Sequence, residues 1–393
     1  MRKGLLSVHP DVLKLGIVSF LTDVSSEAIF SVFAIFFTAI AGGSTALLGI
    51  VEGLADFSAS SLDYVSGWLA DRSGDRKPLA LIGYGFSTLA KMSLLIANSI
   101  TALALFRVTE RLGKSFRGPP RDAWIAGLAE KSIRGYSFGV HKALDKAGAI
   151  VGPLLAYALL SWLGQSMRAF RILFIAAIIS AAAAVMVLSL MKDHPGVPHE
   201  RENIFDVWTN LSPGFRLYLV PAGIFSLAYF SFGFLLLRAY TLGFAVKDVV
   251  LLYALFNVAF TIVAAPIGQL GDFIGRKYIV VCGYLTYLIM SLGFVFATQK
   301  WEVIVLFVLF GVFYAIDEAQ GKAFITDIER ERWASAIGLY NFVTGVVYLP
   351  ASVIAGFLWT LHPTYAFGFG AAATVAAMSV FVLLVPRITS ATV

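Results

Sequence analysis

Apolar runs of about twenty residues, each closed by glycine, proline or a knot of charge, recur along the whole chain. About twenty apolar residues carry an α-helix across a bilayer, so the pattern predicts twelve spanning helices. The first six cover 14–40, 45–70, 78–97, 99–126, 135–161 and 170–191. The second six cover 216–240, 246–270, 278–298, 301–325, 334–360 and 364–386. Lipid cannot satisfy an open strand edge and the alternation of a membrane barrel is missing, so the expected fold class is all-α and polytopic. The longest polar stretch, 192–215, divides the chain into a bundle at 1–191, a cytoplasmic loop at 192–215 and a second bundle at 216–393. An internal repeat about 200 residues apart supports that division. Asp71 to Lys77 reads DRSGDRK and Asp272 to Lys277 reads DFIGRK, while Ala123-Trp124-Ile125 returns as Ala323-Phe324-Ile325. Six helices duplicated once explain the spacing.

Composition narrows the class. Of 393 residues, 59% are hydrophobic and 14% charged, against about 45–50% and about 25% in soluble domains. A water-soluble enzyme is excluded. The net charge of +6 suggests nucleic acid only until the basic residues are placed. Arg2, Lys3, Lys14, Arg72, Arg76, Lys77, Lys131, Arg134, Lys192, Arg201, Arg216, Arg276, Lys277, Arg330, Arg332 and Arg387 fall on one side of the predicted spans; only Arg168, Arg171, Lys247 and Lys300 fall on the other. Basic residues stay in the cytoplasm, so both termini are expected there and no nucleic-acid partner is. The start, Met-Arg-Lys-Gly-Leu-Leu, lacks a cleavage site and reads as leading into a retained span. The single cysteine, Cys282, excludes an internal disulfide. No cofactor or metal is expected: the five histidines have no zinc spacing, and Gly113-Lys114-Ser115 lacks the glycine of a phosphate loop, with Val108 in its place.

Three motifs then resemble those of the major facilitator superfamily of secondary transporters, over essentially the whole length. The first is the loop signature after the second span, Gly67, Asp71, Arg72, Gly74, Arg76 and Lys77, repeated in the second half as Gly268, Asp272, Gly275, Arg276 and Lys277. Glycine permits the tight turn, and the acid and bases can exchange partners between two packings. The second is Leu103-Ala104-Leu105-Phe106-Arg107 in the fourth span, followed by Glu110 and Arg111 where that family often has Gln and Gly. The resemblance implies a proton-coupling role for Arg107; an ion pair with Glu110 is the structural alternative. The third is the glycine spacing of drug–proton antiporters in span five, Gly139, Gly148, Gly152 and Pro153, without its closing glycine pair, where Ala156 and Tyr157 stand. The resemblance implies two pseudo-symmetric six-helix bundles and alternating access to a cavity at the midplane.

Carboxylates within the spans carry the candidate chemistry. Burying a charge in a membrane costs several kcal/mol, so such groups must line a cavity, pair or hold a proton. Asp23 and Glu27 lie four residues apart on span one, and Glu52 and Asp56 four apart on span two, one face each. At ~1.5 Å per residue, Asp23 and Asp56 sit near the midplane, where transporters place substrate and coupling ions. A carboxyl in a dry site beside another carboxylate can hold a proton and release it on hydration. Asp23 and Asp56 are therefore the first candidates for proton or cation binding, with Glu27 and Glu52 behind them. Arg121, Asp122, Lys142, Asp145 and Lys146 read as a salt-bridge gate between spans four and five. Tyr229, Phe232 and Phe256 are candidates for an apolar substrate cavity. Lys91 and Arg238 have no assigned task.

The expected function is secondary transport of a small molecule by a monomer in the cytoplasmic membrane, as proton-coupled efflux of an amphipathic compound. Uptake by proton or cation symport, passage of a divalent metal or its chelate, and a receptor or scaffold on the same fold remain open alternatives.

Overall fold

The computed structural model describes residues 8–130, 133–196, 208, 211–329 and 333–390. Most of the 192–215 loop, and Arg2, Lys3, Lys131, Arg201, Arg330 and Arg332 among the orienting bases, lie outside the described residues. So do the side chains of Asp71, Asp272 and Lys322.

Among the described residues every regular element is a helix. They are α1 (Pro10–Ile35, continued by a π-helical turn, Phe36–Ile40), α2 (Thr45–Ser73), α3 (Lys77–Ser93), α4 (Ile100–Leu128), α5 (Arg134–Leu163) and α6 (Met167–Leu190), then α7 (Pro213–Ala228), α8 (Gly233–Thr241), α9 (Val246–Ile274), α10 (Arg276–Phe296), α11 (Lys300–Ile328), α12 (Trp333–Leu361) and α13 (Pro363–Ser390). The ends obey local chemistry. Ser99, Ser166 and Ser212 accept the first free backbone N–H groups of α4, α6 and α7, and Pro10 and Pro363 open helices where no N–H is needed. The helices fall on the spans expected from hydropathy, with one difference. The seventh span is two helices, interrupted at Tyr229–Phe232. Ser352 Oγ accepts the freed N–H of Ser231 at 3.1 Å, and Tyr287 donates its hydroxyl to Ala228 O at 2.6 Å. A broken membrane helix needs such substitutes for its lost backbone bonds.

Among the described residues, eight segments have the length and hydropathy to cross a membrane on composition alone. The rest of the twelve are α2, α3, α4 and α11: the first, third and fourth carry clusters of charge, and α3 is short at 17 residues.

The chain forms two compact units. The first comprises residues up to Gly42, Ser58–Arg201 and Ala245–Ala254. Here α1 lies centrally against α5 and α6, and α3 against α4, around Val12, Leu15, Val18, Tyr84, Trp124, Ile125 and Leu188. Two helix pairs approach backbone to backbone. A Cβ on Gly152 would stand 2.6 Å from Val24 O, and one on Gly148 would strike Phe20 O, so α5 sits on α1 only because both are glycine. A Cβ on Gly83 would meet Arg117 N at 2.7 Å, and one on Gly113 would meet Ser87 N at 2.6 Å, which fixes α3 on α4. Small residues give membrane helices this proximity. Gly139, by contrast, faces open space.

The second unit comprises Gly43–Phe57, Glu202–Phe244 and the chain from Leu255 onward. In it α13 packs on α7 and α10, and α10 on α11, through a dense set of aromatic rings.

Replacing Gly148 or Gly152 by Val should lower stability by about 1–3 kcal/mol or more through overpacking, read as a lower thermal midpoint in detergent. Gly139→Ala should leave the midpoint unchanged; equal effects at all three positions would refute the packing described.

Candidate functional site

In the first unit, the α3–α4 approach places Ser87 and Lys91 of α3 beside Arg107, Glu110 and Arg117 of α4, with Ser26 of α1 completing the group. Lys91, Arg107, Glu110 and Arg117 are only 1%, 4%, 4% and 3% exposed. Lys91 Nζ donates to Ser26 Oγ at 2.8 Å. Ser26 in turn donates to Glu110 Oε1 at 3.1 Å, and Lys91 Nζ lies 4.0 Å from the same oxygen. Arg107 Nη1 is 3.5 Å from Glu110 Oε2. One carboxylate thus serves two cations. The rest of the positive charge is spread over rings: Arg107 stands 4.7 Å from the Phe30 ring centroid and 5.7 Å from that of Phe33, and Arg117 stands 4.7 Å from that of Tyr84. Cation–ring contacts are worth most where water is excluded. A cleft bordered by Phe30, Phe33 and Phe106 opens on Lys91, Arg107 and Glu110.

A second group runs along α1. Glu27 receives the Tyr253 hydroxyl at 2.5 Å and lies 3.5 Å from Lys114 Nζ. Asp23, one turn earlier and buried, packs its Cβ against the bare backbone of Gly148. Its electrostatic neighbours are Asp145, Lys114, Glu27 and Arg117. Among the described residues Asp23 has no direct hydrogen bond or ion pair. Further along, Arg121 reaches Asp122 at 2.9 Å and Asp145 at 3.8 Å, Lys142 reaches Asp145 at 3.6 Å, and Lys146 also acts on Asp145. Arg121 donates to Ser19 as well, at 3.2 Å, and Ser19 meets His141 Nε2 at 2.9 Å. Pro153 lies buried beside Gly152 in α5.

Glu52 and Asp56 belong to the second unit. Buried Glu52 accepts the Ser231 hydroxyl at 3.0 Å, at the interruption between α7 and α8. Asp56 lies within electrostatic reach of Tyr348. Tyr229, Phe232 and Phe256 meet through Phe310, with centroids 6.4, 5.2 and 5.4 Å from its ring. They form a packed aromatic cluster; a cleft in this unit is lined by others, among them Tyr218, Tyr284, Asp317 and Tyr340. Among the described residues no three His, Cys, Asp or Glu side chains gather as a metal site.

The loop signatures act as helix-end clamps. Gly74 and Gly275 take φ of +72° and +98°, open to glycine at little cost. Lys77 donates to Ser189 O at 2.9 Å and to Met191 O, closing the end of α6. Arg76 lies against Gly127, and its repeat partner Arg276 holds Ala323 O at 2.7 Å and Asp327 at 2.9 Å. Gly67 is buried, and Arg72 stands over Trp68 at 5.1 Å.

Sequence reasoning left Lys91 unassigned and passed over Ser26, Ser87 and Ser231. A signal was present for part of this: Gly83, Ser87 and Lys91 are spaced by four on one face of α3.

Apolar helices that hold ionised groups inward, around small clefts, define a polytopic membrane transporter of small molecules. The chain belongs to the Major Facilitator Superfamily, whose family model matches residues 15–247 and again 225–392. An uncharacterized MFS-type transporter of Methanocaldococcus jannaschii, MJ1317, is 35% identical over 368 residues, covering 92% of this chain and 91% of that protein. The multidrug resistance protein MdtH of Escherichia coli O1:K1 is 32% identical over 142 residues, 35% of this chain and 33% of MdtH. Among solved structures, a POT family transporter in complex with 5-aminolevulinic acid shares the fold at a TM-score of 0.77 and 14% identity, over 99% of this chain and 98% of that one. A nucleoside transporter, NupG, shares it at 0.75 and 13%, over 97% and 99%.

Tyr253→Phe should cost about 1.5–3 kcal/mol, the worth of a hydrogen bond to a charged group, measured as a lowered thermal midpoint. Exposed Tyr365→Phe should cost nothing; equal midpoints for both variants would remove the Glu27 contact from the account.

Proposed function

We propose that the protein is a proton-coupled exporter that exchanges protons for a small amphipathic compound, working as a monomer in the cytoplasmic membrane with both termini in the cytoplasm. The observation that carries this reading is Asp23. It is buried, acidic neighbours Glu27 and Asp145 act on it, and it has no direct ionic partner among the described residues, whereas Glu27, Glu110 and Asp145 each have one. Such a carboxyl is suited to carry a proton whose release depends on water reaching it. It also rests on Gly148 of α5, one glycine of the antiporter-like spacing, so any movement of α5 against α1 alters its surroundings. The local likeness to a multidrug resistance protein favours export.

In this reading Asp23 is the primary proton site and Glu27, held by Lys114 and Tyr253, responds to it. Arg107 and Glu110 tie the charge state of α4 to α1 through Ser26. Arg121, Asp122, Lys142, Asp145 and Lys146 form the gate, and the clamps around Asp71, Arg76, Lys77, Asp272 and Arg276 hold helix ends in one state and free them in the other. Glu52 and Asp56 are further proton or cation sites in the second unit, where the cluster of Tyr229, Phe232 and Phe256 offers an apolar surface to the transported compound.

The test is flux into inverted membrane vesicles energised to be acid inside, with a panel of fluorescent amphipathic compounds. Accumulation should collapse with the gradient and fall at least about tenfold in Asp23→Asn, as expected for loss of an essential proton carrier, while the variant keeps its thermal midpoint. Accumulation indifferent to the gradient, or undiminished in Asp23→Asn, would contradict the reading.

A further inference from the structure

The stretch that follows α6, residues 191–196, turns back on the first unit instead of leaving it. Met191 is buried in the cluster that holds Val8, Val12 and Leu188, and its carbonyl accepts from Lys77 Nζ. Gly196 donates its N–H to Gly74 O at 2.8 Å, and the Arg76 guanidinium lies so close over Gly196 that a Cβ there would strike it. Between these ends, His194 donates its Nε2–H to Asp11 Oδ2 at 3.0 Å. Asp11 is buried in the first turn of α1 and takes Lys14 Nζ on its other oxygen at 2.7 Å. The loop signature after α2, through Gly74, Arg76 and Lys77, thus holds a strap that joins the ends of α1, α3 and α6. Of its ties, only the middle one involves a histidine.

We propose that the His194–Asp11 contact is a proton-sensitive latch, which ties the strap down when the surrounding solution is acid and frees it as the solution turns alkaline. Histidine changes charge between about pH 5 and about pH 8, and the His194 side chain is 36% exposed, so protons reach it, while that of Asp11 is sheltered at 11%. When charged, the ring forms an ion pair with the carboxylate; when neutral, it keeps one hydrogen bond of roughly half the strength. The tie is therefore complete in acid, and its contribution fades as pH rises and the ring gives up its proton. Around His194 stand Asp11, Lys14 and His9 of α1 and its cap, Arg76 and Lys77 at the head of α3, and Lys192 and Asp193 in the strap itself. His9 is the other histidine among them, its ring centroid 6.2 Å away and edge to face. It acts in the opposite sense: its Nδ1 accepts the Asp11 N–H at 3.2 Å, so a proton placed there removes the cap of α1. The direction of the effect has a use in proton-coupled export. An exporter that takes up protons acidifies the cytoplasm, and a strap that tightens in acid slows the helix movements that let them in. That use as a brake rests on the export reading; the latch itself does not.

The test is hydrogen exchange of the backbone amides in residues 191–196, read by mass spectrometry on the full-length protein in detergent between about pH 5.5 and about pH 8, with rates corrected for the intrinsic effect of pH. The Gly196 amide, which carries a strap bond, should be about fivefold better protected at the acid end, the difference between a hydrogen bond to a charged partner pair and an ordinary one. His194→Gln, which can hydrogen-bond but never ionises, should stay at the loosely held level throughout. His194→Arg, charged at every pH used, should stay protected throughout. His9→Ser, which preserves a cap for α1, should keep the transition and so separates the two histidines. Protection that does not change with pH, or a change that survives in His194→Gln, would overturn the proposal. No substrate or gradient is used, so the two readings fail separately. A pH-independent strap in a protein with proton-driven flux would remove the latch and leave export standing; a pH-dependent strap without such flux would keep the latch and remove only its use as a brake.

Discussion

The structure depends on how charge is kept out of hydrocarbon. A lone ionised side chain inside a bilayer costs several kcal/mol, yet α1 and α4 of the first unit carry acids and bases through their middles. The group formed by Lys91, Ser26, Glu110 and Arg107 meets that constraint. A single carboxylate takes two cations and two hydroxyls, and phenylalanine faces cover the guanidinium that it cannot fully neutralise. Removing one partner from such a group is far more costly than the net worth of the pair. The helices that make it are therefore held in register by electrostatics as much as by packing.

Backbone proximity comes first in the causal order. Without Gly83 and Gly113, α3 could not lie on α4 closely enough for Lys91 to reach Glu110; without Gly148 and Gly152, Asp23 would not sit against α5. The matching stretches of the two units are filled differently. In the first, polar and charged residues fill the interior of α3 and α4. In the second, the corresponding helices α10 and α11 carry tyrosine and phenylalanine, with Asp317 where the first unit has Arg117. The first of these helix pairs is rich in charge and the second in aromatic rings.

Much of the fold was legible because a bilayer imposes a simple rule of length: an apolar run of sufficient extent is a helix, although caps such as Ser166 and Ser212 start α6 and α7 a few residues before the expected ends at 170 and 216. The interruption at Tyr229–Phe232 was not legible, because the groups that stabilise it, Ser352 and Tyr287, are distant in sequence. The Arg107–Glu110 contact could be anticipated from spacing within one helix, as could Lys142–Asp145. Lys91 could not be assigned, since its partners belong to α1 and α4, and only helix packing brings those together. Span-five glycines proved unequal for a similar reason: spacing treats Gly139 and Gly148 alike, whereas only the latter faces another backbone.

The central claim is that these intramembrane charges stabilise one another. A double-mutant cycle on Lys91→Met and Glu110→Gln, read by thermal unfolding in detergent, tests it most directly. The account predicts coupling: Glu110→Gln alone strands two buried cations at a cost of about 3–5 kcal/mol, and adding Lys91→Met recovers part of that loss. If the two losses simply add, Lys91 and Glu110 do not act on each other, and the account of a mutually neutralised cluster is contradicted.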